Sequence, residues 1–131
     1  MLGKTVFSAT NQTSDSEDTF YLDAVRSSLS SPNLFRNFRR NFDYREILEH
    51  VSYSLGLKYF TLGVDRSSDF LMILEKSRRV DEIGNPIRFT YRGVGLCSPT
   101  LIRYSYVASD MRQIFDFDSI NTIIEIGCGY G

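Results

Sequence analysis

Cysteine is scarce in this chain. Cys97 and Cys128 are the only two, and they stand far apart in dissimilar settings. That is too few for a disulfide framework or a zinc cage, and it predicts a protein of a reducing cytoplasm. Excess charge of either sign is also lacking, because 15 Lys and Arg against 16 Asp and Glu leave a net charge of −1. No domain-wide basic field exists to condense onto nucleic acid or an anionic membrane, so neither is expected as a partner. No apolar run approaches the roughly 20 residues of a membrane span, and the Met1 end lacks the apolar region of a signal peptide. The expectation is a protein that is not exported and has no membrane span. Its 131 residues have room for one domain, and a body of that size hides roughly two thirds of its unfolded surface without disulfide staples.

What is present is a polar start followed by helical periodicity. Residues 1–18 are rich in Ser, Thr, Asn and Asp, with too few apolar side chains to offset the entropy of ordering, and predict a mobile arm. Ser14 and Glu17 have the form of a capping box, and Tyr21, Leu22, Val25 and Leu29 recur at helical spacing, predicting a helix that ends near Ser30. Ser31-Pro32 opens a second, shorter helix with Leu34, Phe35, Phe38 and Phe42 as its stripe. Arg36, Arg39 and Arg40 fall mainly on its other side, where a solvated face accounts for them better than a phosphate site. Asp43 and Glu46 form the next capping box, ahead of Tyr44, Ile47, Leu48, Val51 and Leu55, and Gly56 predicts the end of that helix. Leu57 to Val64, interrupted by glycine, reads as a packed connection.

Ser67-Ser68-Asp69 starts another helix, burying Phe70, Leu71, Ile73, Leu74 and Ser77 before Arg78 and Arg79 meet its negative end. Beyond Gly84-Asn85-Pro86, the alternation of Ile87, Phe89 and Tyr91 with Arg88, Thr90 and Arg92 predicts a short half-buried strand. Ser98-Pro99 opens a helix to about Phe115, with Leu101, Tyr104, Ala108, Met111 and Phe115 as its stripe. Thr122 to Ile126 is a β-rich run that leads directly into Gly127-Cys128-Gly129-Tyr130-Gly131.

That junction carries the chemistry. A buried strand opening into Gly-x-Gly-x-Gly starts a doubly wound α/β unit, in which ligands gather at the strand ends. Glycines there let the backbone approach a bulky ligand, while amides at the next helix start donate to it. Dinucleotides and S-adenosylmethionine compete for this geometry. Glu125, two residues before the first glycine, would repel a pyrophosphate but would hold the cationic aminoacyl end of S-adenosylmethionine.

Glu125-Ile126-Gly127-Cys128-Gly129-Tyr130-Gly131 resembles motif I of the S-adenosylmethionine-dependent class I methyltransferases. Ile47-Leu48-Glu49-His50-Val51, Ile83-Gly84-Asn85-Pro86, Ser98-Pro99-Thr100-Leu101-Ile102-Arg103-Tyr104 and Ile123 to Gly131 occur in the order seen in a bacterial family of sugar O-methyltransferases, which the chain resembles from about residue 20 onward. It departs from that family at Cys128, where glycine is expected. The resemblance implies methyl transfer from S-adenosylmethionine to a sugar hydroxyl, with a sugar or glycan as substrate. It implies that Glu125, Gly127, Gly129 and Gly131 bound the methionine part of the cofactor, and that Arg103 and Tyr104 reach the same pocket.

Other candidates have plainer readings. Cys128 has no histidine near it in sequence and reads as a small loop residue rather than a nucleophile. His50, the only histidine, is of the type that serves as general base, but its place beside the apolar face of a predicted helix favours packing or capping. The organisation expected is a polar arm (1–18), a mainly helical N-terminal region (19–98) and the start of a Rossmann-like methyltransferase domain (99–131). Partner strands and the acid that would bind the ribose hydroxyls do not follow the glycines. The chain is therefore expected to be the N-terminal portion of a longer enzyme, inactive by itself, whose Ile-rich end would drive self-association. The alternatives are a small helical adaptor with a vestigial strand and a truncated nicotinamide enzyme, the latter disfavoured by Glu125.

Overall fold

The computed structural model describes residues 15–126, with side chains for Leu22, Asp23 and residues 25–126. Most of the expected mobile arm lies outside that range. Its last residues, Asp15 to Asp18, belong instead to helix α1 (Asp15–Ser30), as the capping box at Ser14 implies. Leu22 and Leu29 of the expected stripe are exposed.

Ser31 Oγ accepts the Leu34 amide at 3.1 Å and Pro32 takes the first helical position, which sets α2 (Pro32–Arg36). A 3-10 turn, Phe38–Arg40, replaces the rest of the predicted helix. Phe38 is consequently buried while Leu34, Phe35 and Phe42 are exposed.

The next predicted helix is two. Asn41 Oδ1 accepts the amides of Asp43 at 2.9 Å and Tyr44 at 3.4 Å, so Asn41 rather than Asp43 caps α3 (Phe42–Leu48). After the link 49–52, Ser52 Oγ accepts the Leu55 amide at 3.2 Å and starts α4 (Tyr53–Arg66). Gly56 and Gly63, expected to end a helix and loosen a connection, lie inside α4. Their role is close approach. A β-carbon at Gly56 would sit 2.5 Å from Tyr91 Oη and 2.9 Å from Pro99 Cβ, and one at Gly63 would sit 2.6 Å from the Phe70 ring.

Helix α5 (Phe70–Lys76) buries Phe70 and Leu74 as expected, leaves Leu71 exposed and passes into a 3-10 turn, Arg78–Glu82. Strand β1 (Phe89–Tyr91) pairs antiparallel with β2 (Gly95–Cys97), matching Phe89 with Cys97 and Tyr91 with Gly95. Helix α6 (Pro99–Ile114) starts where Ser98 caps the Leu101 amide. It packs against α4 and α5. Its inner face differs from the expected stripe: Leu101, Ile102, Ser105 and Ser109 are buried, whereas Tyr104, Met111 and Phe115 are exposed. A serine can serve there because its hydroxyl folds back, as Ser109 Oγ does onto the Tyr106 carbonyl at 2.8 Å.

The core joins Phe70, Leu74, Tyr91, Cys97, Leu101 and Ile102, with Tyr59, Phe60, Val94 and Tyr106 against it. A smaller cluster holds Phe38 and Tyr44 edge to face at 5.1 Å, beside Leu48. The molecule is thus mainly helical with one two-stranded antiparallel sheet among the described residues. The expected strand over Thr122–Ile126 is not formed: the segment carries no sheet pairing, and Ile123, Ile124 and Ile126 are 72%, 82% and 94% exposed. A parallel strand needs neighbours to satisfy its backbone, and none is present among the described residues.

Candidate functional site

Of the residues expected to hold the cofactor, Gly127, Gly129 and Gly131 lie outside the described residues, as does Cys128. Glu125 is exposed and has no hydrogen bond or ion pair among the described residues. Arg103 and Tyr104 sit together on α6, the guanidinium 5.9 Å from the Tyr104 ring centroid. Tyr104 is 54% exposed.

A cleft of about 390 Å³ lies elsewhere, between the stretch from α3 through the link 49–52 into the start of α4 and the segment that leads through β1 into α6. Its lining includes Arg45, Glu46, His50, Tyr53, Phe89 and Thr100. The link 49–52 builds one wall and is clamped on both sides of His50. On one side Glu49 pairs with the buried Arg39, and on the other Val51 is 6% exposed. The histidine is therefore not on a helix, as expected, but on a held link. Its Nδ1 lies 3.0 Å from the Ile47 carbonyl, which can only accept, so Nδ1 carries the hydrogen and Nε2 the lone pair in the neutral ring. Tyr53 and Phe89 supply aromatic surface with centroids 5.5 Å apart. Thr100 is 3% exposed and its Oγ1 has no hydrogen-bond partner.

Behind the cleft runs a buried polar chain that the sequence did not reveal. Arg39, expected on a wet face, is 6% exposed. It pairs with Glu49, donates to the Val80 carbonyl at 2.9 Å and lies 3.7 Å from Asp81. Asp81 accepts the Ser98 amide and hydroxyl, each at 2.6 Å. Ser98 Oγ in turn accepts the Leu101 amide at 3.1 Å, so the chain ends on the first turn of α6. Arg36 and Arg40 stay exposed, and Arg40 donates to the Asn85 carbonyl at 2.8 Å.

Burial pushes the Tyr91 hydroxyl up to about 12, with Cys97 and Tyr53 adding to the effect. Burial likewise pushes the Cys97 thiol up to about 11, Asp81 reinforcing and Arg78 opposing it. A thiol so placed is not a nucleophile at neutral pH. Among the described residues no group of His, Cys, Asp and Glu is placed to hold a metal ion, and no helix is long and apolar enough to cross a membrane. No family model, no curated protein and no solved structure matches this chain.

Proposed function

We propose that this chain is the N-terminal, mainly helical region of an S-adenosylmethionine-dependent methyltransferase acting on a sugar hydroxyl. Thr122–Ile126 then serves as the first strand of the cofactor domain, and Glu125 receives the ammonium of the donor beside Gly127, Gly129 and Gly131. One observation carries the reading: an apolar segment with exposed isoleucines, carrying the open Glu125 carboxylate two residues before the first glycine, leads into the glycine-rich run. Such a segment has the composition of a buried strand without the neighbours that would bury it.

Calorimetric titration with S-adenosylmethionine tests this. The 131-residue chain is expected to show no binding, and a protein extended into the following reading frame is expected to bind at micromolar concentration. Glu125→Gln in that longer protein should weaken binding by about ten- to a hundredfold, a charge-assisted contact being worth about 1.5–3 kcal/mol. Tight binding by the short chain, or indifference of the long one to the donor, overturns the proposal. The helical adaptor keeps one observation in its favour, since the core from Phe70 to Ile102 closes without any residue beyond α6.

A further inference from the structure

We infer that α1, α2, α3 and the turn Phe38–Arg40 form a lid that opens as one unit on the link 49–52, with Arg39 as its latch. The molecule has two hydrophobic clusters rather than one. Phe38, Tyr44 and Leu48 make up the smaller, whereas the larger joins Phe70 and Leu74 to Tyr91, Cys97, Leu101 and Ile102. Helix α1 packs on α2 and α3, while α4 and α5 pack on α6, so extensive contact lies within one group or the other. Groups of elements with separate cores open as separate cooperative units.

Among the described residues, the hydrogen bonds that join the two groups converge on one turn, 80–85. Arg39 donates from Nη1 to the Val80 carbonyl at 2.9 Å and the Ile83 carbonyl at 3.4 Å, and from its amide to the Gly84 carbonyl at 3.1 Å. Arg40 donates to the Asn85 carbonyl at 2.8 Å, and Asn85 Nδ2 donates to Asn37 Oδ1 at 2.7 Å. Gly84 and Asn85 stand at φ values of 72° and 52°. A β-carbon at Gly84 would sit 2.5 Å from the Phe38 ring, so the lid lies directly on the backbone of this turn.

The buried charges divide so that neither side is left alone. Arg39 pairs with Glu49 at the lid's own end of the link, and Asp81, 3.7 Å from Arg39, holds the amide and hydroxyl of Ser98. Opening separates Arg39 from Asp81 while each keeps a partner, which avoids the large cost of a charge stripped of its only counterpart. The link 49–52 lies outside both α3 and α4 and is the place where the backbone can turn. The cleft follows the same seam. Arg45 and Glu46 line it from the lid, Phe89 and Pro99 from the body, so opening parts its walls. The inference does not rest on the chemistry of Glu125.

The test is native-state hydrogen exchange on the whole 15N-labelled chain, across urea concentrations below the unfolding transition. The amides of Arg39 and α3 should share one urea-dependent opening and exchange faster, by about tenfold or more, than those inside α4 and α6, which should wait for global unfolding. Ile102→Val lies in the larger cluster. It should speed the α4 and α6 amides about two- to tenfold and leave the lid amides at their parent rate, because an open lid does not disturb Ile102. Arg39→Lys keeps the charge but loses the fork of donors. It should speed the lid amides by about tenfold or more, and the α4 and α6 amides by the same factor, since global unfolding also breaks the latch. A single rate for lid and body, lid amides that exchange without urea dependence, or lid amides that follow Ile102→Val overturns the inference. So does an Arg39→Lys protein whose lid amides exchange as in the parent.

Discussion

Arg39 is a guanidinium taken almost wholly out of water, and the groups that receive it come from separate parts of the chain: Glu49 ahead of α4, and Val80 and Asp81 ahead of β1. Such a cluster adds little net stability when complete and costs much when broken, because the remaining charges cannot rehydrate. Asp81 is its weakest point to lose, since it also holds both the amide and the hydroxyl of Ser98. Asp81→Ala is expected to lower the unfolding free energy in urea by about 3–5 kcal/mol. Asp81→Asn, which keeps one acceptor, should cost less than the alanine variant. Tyr91 and Cys97 give a pH signature at the same scale. Both are acids whose neutral form is favoured by folding, so their stabilisation is complete below their ordinary values of 10.0 and 9.0 and is lost as pH rises toward about 12 and about 11. Thermal unfolding should show falling stability from about pH 9 to about pH 12, and the double variant Tyr91→Phe, Cys97→Ala should flatten that slope. An equal slope in the variant would show that neither group is the cause.

At the scale of elements, the ends that the sequence marks well are those with a hydroxyl cap followed by proline. Ser31-Pro32 and Ser98-Pro99 set α2 and α6 as read, because the cap and the fixed φ act within one turn and need no tertiary information. Helix α4 was hidden for the opposite reason. A glycine inside a helix costs about 1 kcal/mol, so Gly56 and Gly63 read as breaks. Only the folded molecule shows that Tyr91, Pro99 and Phe70 occupy the space of the missing β-carbons. Gly63→Ala should therefore gain helix propensity but lose more to the Phe70 ring, a net cost of about 1–2 kcal/mol from overpacking in urea unfolding. A stabilised Gly63→Ala protein would show instead that the glycine is dispensable to the packing of α4. The polar face of α6 was equally illegible, since Ser105 and Ser109 look like surface residues until their burial is seen. In the candidate site, the sequence marked His50 as a packing or capping residue of a helix, and its place on a held link was illegible because the clamp depends on Arg39, Glu49 and Val51 meeting in space.

For the whole molecule, the balance of covered and uncovered apolar surface decides behaviour. The core between α4, α5, α6 and the hairpin is closed, whereas Ile123, Ile124 and Ile126 leave large side chains at 72–94% exposure beyond α6. Exposed apolar surface of this kind, carried on backbone without strand partners, favours association between chains. None of it contributes to the core, so its removal should change solubility and leave folding intact. Deleting Thr122 to Gly131 tests the separation. The shortened chain should keep its far-ultraviolet helical spectrum and unfold within a few degrees of the parent, a loss of 1 kcal/mol shifting a domain of this size by about 4 °C. Its sedimentation should no longer depend on concentration. Collapse of helicity would place the segment among the supports of the fold, and association that persists unchanged would move the adhesive surface to the exposed Leu22, Leu29, Phe35 and Phe42 of the α1–α3 end.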